Sequence, residues 1–213
     1  PRIDCNVACP ASLEEAFART VRETVACNNW PADFPYAPQV GFRIFHTGAD
    51  LLLRFDVAER CTAARTLDDN GPVWTDSCAE FFFRPEGSDS YYNFECNCIG
   101  TLLVGHRRDR TQAEHAPAEV LRTVRRRATY PHAPLPETEG DNRWTLTLAI
   151  PAAALFRDRL ARWDGVRGAM NLYKCGDDLS CPHYLSWRPV GTPAPDFHRP
   201  EFFEPVFFEP KKQ

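Results

Sequence analysis

Residues 73–85 read Val-Trp-Thr-Asp-Ser-Cys-Ala-Glu-Phe-Phe-Phe-Arg-Pro. A short loop follows at 86–90, and residues 91–98 then read Tyr-Tyr-Asn-Phe-Glu-Cys-Asn-Cys. Two β-rich runs joined by a loop of Gly, Ser and Asp are typical of a β-hairpin. We therefore predict two paired strands here, in a protein that is built mainly from strands.

The hairpin has two chemically distinct faces, because side chains alternate across a strand. The predicted core face of the first run carries Ser77, Ala79, Phe81 and Phe83. On the second run, Tyr92, Phe94, Cys96 and Cys98 alternate with polar residues. If the polar faces coincide, one side of the sheet presents Trp74, Asp76, Glu80, Asn93, Glu95 and Asn97.

An aromatic side chain beside several carboxylates and amides matches the chemistry of a sugar. The C–H face of a sugar ring stacks on an aromatic ring, and its hydroxyls donate hydrogen bonds to charged acceptors. The alternative interpretation is a solvated outer sheet face that happens to carry Trp74. These residues alone leave both interpretations open.

Length and composition favour one globular domain. The chain has 213 residues, of which 43% are hydrophobic and 25% charged, which excludes a disordered protein and suits a single sandwich or barrel. The formal net charge of −4 gives no reason to expect nucleic acid or an acidic membrane as a partner. No secretory signal, apolar transmembrane run, internal repeat or linker is apparent. The oligomeric state is not indicated.

Nine cysteines are spread along the chain without the pattern of a small disulfide-rich domain. We expect mostly free thiols, which favours the cytoplasm, whereas a periplasmic or secreted location stays open if a signal peptide has been removed. Export would allow the pairs Cys5/Cys9 and Cys175/Cys181 to close short loops. Cys175, Cys181 and His183 also form a loose zinc-ligand triplet, although structural zinc sites normally use four ligands in close pairs.

The elements before the hairpin are predicted to be a helix and two strands. Ser12 and Glu15 form a capping-box pattern, and apolar residues at helical spacing predict a helix within residues 10–27. Residues 1–38 thus form a helical lead-in, where we expect Trp30 to pack against the body. Strands are predicted at 40–46 and 51–57, followed by a loop over 58–72.

After the hairpin, the alternating Trp-Thr-Leu-Thr-Leu-Ala-Ile of residues 144–150 predicts a strand. A loop is predicted before it at 131–142 and a short helix after it at 151–163, starting with proline. Residues 118–130 suit a solvated strand or short helix. Further strands are expected at 99–104, 167–174, 184–187 and 202–208. About eight strands with one or two short helices predict an all-β sandwich, jelly-roll-like, over residues 40–208.

Five segments together resemble family 9 carbohydrate-binding modules, and most of all the stand-alone family-9-like proteins common in gut Bacteroidetes. These segments are Leu-Arg-Phe-Asp-Val (53–57), residues 73–82, Tyr-Asn-Phe-Glu-Cys-Asn (92–97), Trp-Thr-Leu-Thr-Leu-Ala-Ile-Pro (144–151) and the Pro/Phe-rich end. The resemblance implies a β-sandwich related to DOMON domains. It also implies a glucose or xylose unit, often a chain end, held between two aromatic walls without catalysis.

The resemblance assigns residues to this site. Trp74 matches the first aromatic wall, and Glu80 matches the carboxylate that accepts hydrogen bonds from sugar hydroxyls. The family often has Arg on the paired strand where this chain has Glu95, so the charge is inverted, and Asn93 lies two residues earlier. The second wall falls on Phe197, or on Trp187 ten residues before it.

The resemblance also raises the question of calcium, which some family members bind. Asp68 and Asp69 in an acidic turn, together with Asp76, are the candidate ligands, since Ca²⁺ prefers hard oxygen atoms. The simpler interpretation is an ordinary turn, because Asp and Asn favour turns without a metal. We expect no required cofactor, with a structural Ca²⁺ as the alternative.

Other functions stay open beside sugar binding in polysaccharide breakdown. A glycoside hydrolase would use Glu80 and Glu95 as its carboxyl pair, and family 9 modules often accompany such enzymes. A DOMON-type haem domain would use Met170 or a histidine as axial ligand. The last alternative is a structural domain without a small ligand.

Overall fold

Two antiparallel sheets pack face to face and enclose the main hydrophobic core. The structure is a computed structural model and describes residues 1–211. The strands in chain order are β1 (Glu23–Thr24), β2 (Cys27–Asn28), β3 (Gln39–His46), β4 (Asp50–Ala64), β5 (Cys78–Pro85), β6 (Tyr91–Asn97), β7 (Leu102–Arg107), β8 (Ala113–His115), β9 (Arg125–Ala128), β10 (Leu135–Pro151), β11 (Arg167–Cys175), β12 (Tyr184–Ser186) and β13 (Glu204–Phe207).

The smaller sheet has the strand order β1-β3-β4-β10-β9, and the larger has the order β2-β12-β11-β5-β6-β7-β8, with β13 paired to β11. Helices are few: α1 (Pro10–Ala18), α2 (Ala118–Leu121) and the 3-10 turns Val73–Thr75, Ala152–Ala154 and Pro200–Phe202. The two packed sheets and the small number of helices confirm the predicted β-sandwich. In the described part of the chain, no helix is long and apolar enough to cross a membrane.

The apolar faces of the central hairpin form the middle of the core, as predicted. Phe81 lies opposite Phe94 across β5 and β6, and both are fully buried together with Phe83 and Ile150. Burying a side chain of this size contributes roughly 1.5–3 kcal/mol. The alternation that identified these residues in the sequence therefore also identifies the residues that stabilise the sandwich.

The beginning of the hairpin differs from the prediction. Residues Val73–Thr75 form a 3-10 turn, and the strand begins only at Cys78. Trp74 therefore does not share a pleat with Glu80. The turn carries the indole out of the sheet, and Trp74 is 39% exposed.

The N-terminal helix is shorter than predicted. Helix α1 ends at Ala18, and Val21 beyond it is 79% exposed. Ser12 does not cap the helix, because its hydroxyl accepts a hydrogen bond from the backbone N–H of Asn6. The chain then pairs as β1 with β3, so strand pairing replaces the last turns of the predicted helix.

Two predicted loops are strands instead. Strands β4 and β10 continue as a paired ribbon, in which Thr62 lies opposite Thr138 and Glu59 opposite Asn142. The polar sequence of 135–142 hid this ribbon, because most of its side chains are solvated. Conversely, the helix predicted at 151–163 is only the 3-10 turn at Ala152–Ala154. Residues 118–130 contain both α2 and β9, the two elements offered as alternatives.

The outer face of the larger sheet is covered rather than solvated. Segments before β3 and after β12 fold over it and form a second hydrophobic cluster with the outward-facing residues of β5, β6 and β11. Trp30, Val190, Phe197 and Phe203 contribute the cover, while Phe82 and Tyr173 belong to the sheet. The polar residues on this face are therefore buried beside an aromatic layer.

Candidate functional site

A cavity of about 490 Å³ opens through this cover onto the larger sheet. Glu80, Glu95 and Cys175 line it from strands β5, β6 and β11. Trp74 lines it from the 3-10 turn before β5, and Phe197 from the covering segment after β12. The remaining lining residues are Phe34, Leu103, Arg107, Arg110, Ala113, His115, Asp177, Tyr184, Pro195, Asp196 and His198.

The sheet register places two carboxyl groups side by side in this cavity. Glu80 on β5 is directly opposite Glu95 on β6, and their exposed fractions are only 3% and 4%. The thiol of Cys175 donates to Oε1 of Glu80 across 3.0 Å. The side-chain amide of Asn93 donates to Oε1 of Glu95 across 2.7 Å.

A guanidinium group completes the polar wall. The Nε–H of Arg107 donates to Oδ1 of Asn93 across 2.9 Å, and its Nη1 donates to the backbone carbonyl of Arg110 across 3.2 Å. Asn93 thus links Arg107 to Glu95 and orients both. In the described residues, neither Glu95 nor Arg107 forms an ion pair.

The buried carboxyl groups resist ionisation. Burial and the neighbouring Glu95 raise the pKa of Glu80 well above its usual value. Burial raises the pKa of Glu95 to about 7, and burial with the adjacent Asp178 raises the pKa of Asp177 to about 6. Burial and the charge of Arg107 lower the pKa of His198 to about 3, so this imidazole is neutral. The cavity therefore presents protonated carboxyl groups as well as acceptors near neutral pH.

Backbone hydrogen bonds hold the Trp74 turn at the cavity mouth. The N–H of Asp177 donates to the carbonyl of Trp74, and that of Asp178 donates to the carbonyl of Thr75, each across 3.2 Å. The thiol of Cys175 lies 3.5 Å from the same Trp74 carbonyl. The turn is thus fixed to the segment after β11, and its indole remains accessible.

Phe197 forms a wall that is built into the aromatic layer. Its ring stacks on Tyr173 with a centroid separation of 4.1 Å and an interplanar angle of 14°. Trp30 lies against the same ring at 6.1 Å, and its indole N–H donates to the carbonyl of Thr192 across 2.7 Å. The lead-in therefore packs behind this wall, which is the role expected for Trp30.

The structure brings together four of the six predicted site residues as cavity lining: Trp74, Glu80, Glu95 and Phe197. Asn93 stands behind Glu95 rather than on the cavity surface. Trp187, the other candidate for the second wall, does not line the cavity. Its ring packs edge-on against Phe42 of β3 at 5.7 Å, and its N–H donates to Glu23. Trp187 lies just beyond β12 and turns toward the inner layer.

The candidate calcium ligands have protein partners instead of a common site. Asp69 forms a two-pronged ion pair with Arg126, at 2.7 and 2.8 Å. Asp76 accepts hydrogen bonds from the backbone N–H groups of Arg65 and Thr66 and from the amide of Asn97. Within residues 1–211, Asp68, Asp69 and Asp76 do not form a cluster that could hold a metal ion.

The triplet Cys175, Cys181 and His183, which lacks the four-ligand pattern of structural zinc sites, is also separated. Cys175 lies in the cavity, whereas the Sγ of Cys181 is 2.7 Å from that of Cys61, and His183 accepts from the ammonium group of Lys174. All nine cysteines are free thiols in the structure.

A different group, Cys78, Glu80 and Cys175, does converge, with ligand atoms within 4.8 Å of one another. Met170, the proposed haem ligand, packs in the core between the sheets.

Several cavity residues escaped the sequence analysis. Asp196 and His198 flank Phe197 and could have been found from it. Arg107 and Arg110 belong to a run of charged residues that carries no site motif, although Arg107 ends β7 and pairs with Tyr91 of β6. Asp177 follows β11 in a turn with no distinctive motif. The sheet order β11-β5-β6-β7 and the segment after β12 bring these residues together from distant parts of the chain.

Comparison with known proteins identifies the family. The profile described as carbohydrate-binding family 9 matches residues 9–208. No curated protein matches the chain. A crystal structure at 2.70 Å of a protein from Bacteroides uniformis ATCC 8492, proposed to bind carbohydrate, superposes with a TM-score of 0.90. The two sequences are 41% identical, and the match covers 97% of this chain and 93% of that chain.

Two more distant structures share the fold. They are a family 9 carbohydrate-binding module from Caldicellulosiruptor kristjanssonii in complex with glucose, with a TM-score of 0.59, and in complex with cellotriose, with a TM-score of 0.55. Both are 9% identical and cover all of this chain, with 93% and 91% of their own chains matched. The family profile spans nearly the whole sandwich and confirms the resemblance noted in the sequence, so the chain belongs to carbohydrate-binding family 9.

Proposed function

We propose that this protein binds a neutral sugar, a glucose- or xylose-type unit at a chain end, in the cavity beside Trp74, without catalysis. The observation that carries the proposal is the half-exposed indole of Trp74 at the mouth of a cavity whose sheet side holds the Glu80–Glu95 pair. An aromatic ring would stack on the C–H face of the sugar. The carboxyl groups and Arg107 would exchange hydrogen bonds with its hydroxyls.

The size and lining of the cavity suit such a ligand. A volume of about 490 Å³ lies within the range of roughly 300–1,000 Å³ that small-molecule sites occupy. Phe197 would form the second aromatic wall, and its stacking on Tyr173 holds the Phe197 ring in place before a ligand binds. A site whose walls are already ordered loses little entropy when it binds.

The arrangement of the carboxyl groups favours binding over hydrolysis. A glycosidase places its two carboxyl groups on either side of the scissile bond. Glu80 and Glu95 instead extend in parallel from directly paired positions of one sheet. They would meet the same side of a sugar ring, which suits recognition of neighbouring hydroxyls. Family 9 is a family of binding modules, and its complexes with glucose and cellotriose support the same ligand class here.

The experiment is a calorimetric titration with glucose, xylose and short β-linked oligosaccharides of each. We expect saturable binding by the wild type, and a loss of roughly ten- to hundredfold in affinity for Trp74→Ala. The variant would lose the stacking, worth about 0.5–1.5 kcal/mol, and also the apolar area that the indole buries against the sugar. Trp187→Phe is the matched control, because Trp187 lies outside the cavity. Affinity unchanged by Trp74→Ala would contradict the proposed site.

The same oligosaccharides test the absence of catalysis. After prolonged incubation with wild-type protein, chromatography should show only intact substrate. Hydrolysis that disappears in Glu80→Gln would instead assign a glycosidase activity to the carboxyl pair. We also propose that this binding serves polysaccharide breakdown. Because the proposed ligand is a chain end, oligosaccharides with free ends should bind more tightly than the interior of a polymer.

A further inference from the structure

We propose that Cys78, Cys175 and Glu80 form a binding site for a thiophilic divalent cation of the zinc class, with its open coordination position facing the cavity. The metal site shares Glu80 and the cavity with the proposed sugar site, but its ligands are in place whether or not a sugar binds. Two sulfur ligands and one carboxylate oxygen form a set that suits Zn²⁺ and its spectroscopic substitute Co²⁺.

The fold places the three ligands together without strain. Cys78 begins β5 and lies directly opposite Cys175, the last residue of β11. Glu80 lies two residues after Cys78, so its side chain emerges on the same face of the sheet. Their ligand atoms all lie within 4.8 Å of one another, and the thiol of Cys175 is 3.0 Å from Oε1 of Glu80.

A bound cation would supply the positive charge that the buried carboxyl groups of Glu80 and Glu95 lack. Glu80 and Glu95 stand beside each other with no ion pair in the described part of the chain, and both are buried. A divalent cation would ionise the two thiols and Glu80 and would release their protons on binding.

The access from the cavity and the number of protein ligands also suit a metal ion. Cys175 and Glu80 line the cavity, whereas Cys78 is fully buried behind them. An ion could therefore enter from the cavity and retain one position for water or another ligand. Three protein ligands plus one open position is the arrangement of zinc sites that act on small molecules.

A second close thiol pair is a poorer site and serves as a control. Cys61 and Cys181 have sulfur atoms 2.7 Å apart, but the guanidinium of Arg60 contacts the Cys181 sulfur at 2.6 and 3.0 Å. A fixed positive charge at this distance disfavours a second cation. No third ligand joins this pair in a metal-binding group within residues 1–211.

The test is a titration of metal-free protein with Co²⁺, in buffer that contains a phosphine reductant. Binding is monitored by the thiolate-to-cobalt charge-transfer absorption. We expect absorption that saturates at one Co²⁺ per chain and is reversed by Zn²⁺. Cys78→Ser and Cys175→Ser should each abolish it, and Glu80→Gln should weaken Co²⁺ affinity at least tenfold. Cys96→Ser is the matched control, because Cys96 is equally buried but faces the opposite side of the same hairpin.

Three outcomes would overturn the metal site. They are no charge-transfer absorption in the wild type, absorption that survives both cysteine variants, and absorption that disappears in Cys181→Ser instead. If the cysteine variants do not fold, alkylation of the wild type decides: Zn²⁺ should slow modification of Cys175, and equal rates with and without Zn²⁺ would contradict the proposal. Trp74→Ala should lose sugar binding yet keep the cobalt absorption, which separates the two proposals.

Discussion

Glu80 and Glu95 face each other across adjacent antiparallel strands at the base of a cavity, and each is nearly excluded from solvent. Directly opposite residues have Cβ atoms about 5 Å apart, so two ionised carboxylates here would repel each other. Burial raises the pKa of Glu95 to about 7, and burial together with the neighbouring Glu95 raises the pKa of Glu80 well above its usual value. The site therefore holds protons that an exposed carboxyl pair would lose.

This pair makes stability depend on pH. Because the folded-state pKa of Glu95 lies above its ordinary value of 4.5, the folded protein binds more protons than the unfolded chain between these values. Its contribution to the free energy of unfolding is fully present below pH 4.5 and is lost as pH rises through about 7. We expect the urea midpoint to fall over this interval in the wild type.

Glu95→Gln should flatten this decline, because the amide keeps the shape of the carboxyl group and does not titrate. The measurement is a series of urea unfolding curves between pH 4.5 and 8, compared at constant ionic strength. Glu119→Gln, at an exposed position on α2, is the control and should follow the wild type. An identical slope in the wild type and Glu95→Gln would show that Glu95 is ionised throughout.

The hairpin could be predicted because its information is local. Alternation alone places Phe81 and Phe94 in the core and Glu80 and Glu95 on the opposite face, and the structure has all four in these positions. The relation of β5 to β6 depends only on a short loop. The same alternation could not place Trp74, because the strand begins after it.

The rest of the cavity depends on contacts between distant segments. Phe197 and Trp187 are both aromatic residues after β11, and only the path of the C-terminal cover over the sheet distinguishes them. Arg107 reaches the cavity because β7 pairs with β6, which a charged loop sequence does not reveal. The β4–β10 ribbon was hidden for a similar reason: the polar residues of its β10 half carry no hydrophobic pattern, and only pairing with β4 identifies them as a strand.

Phe197 offers a test of the second wall that separates shape from hydrophobicity. Phe197→Leu keeps an apolar side chain against Tyr173 but removes the flat ring. We expect sugar affinity to fall roughly tenfold, with a stability loss of about 1–2 kcal/mol, because Leu leaves part of the ring's space empty and loses the stacking on Tyr173. Calorimetry and urea unfolding measure the two quantities. Sugar affinity equal to that of the wild type would exclude Phe197 as a stacking wall.

Asp76 is predicted to act as a structural carboxylate without calcium. Its two oxygens accept three hydrogen bonds, at 2.8, 3.0 and 2.9 Å, and the side chain is fully buried. Asp76→Asn replaces one acceptor oxygen with a donor, so we expect a loss of about 1.5–3 kcal/mol in the free energy of unfolding. Adding Ca²⁺ to metal-free wild-type protein should leave its melting temperature unchanged. A clear rise with Ca²⁺ that Asp76→Asn abolishes would instead identify Asp76 as a calcium ligand.

On the inner side of the larger sheet, Lys174 and Glu59 form a fully buried ion pair at 2.8 Å. Glu59 also accepts from the indole N–H of Trp144 and the hydroxyl of Thr62, and Lys174 donates to His183. Although burial opposes ionisation, the charge of Lys174 holds the pKa of Glu59 below its usual value. Burial and the same ammonium group lower the pKa of His183 to about 3, so its imidazole is the neutral acceptor.

Removing one charge of this pair should be far more costly than removing both. Glu59→Gln leaves a buried ammonium group without its counter-charge, and we expect a loss of about 3–5 kcal/mol in the free energy of unfolding. Lys174→Met should lose a similar amount, since it leaves the carboxylate alone. The double variant Glu59→Gln/Lys174→Met should recover a substantial part of the loss, because no uncompensated charge remains. Urea unfolding of the four proteins gives the coupling energy directly. Losses that simply add in the double variant would show that the two side chains contribute independently, and the ion pair would then not be what holds this part of the sandwich together.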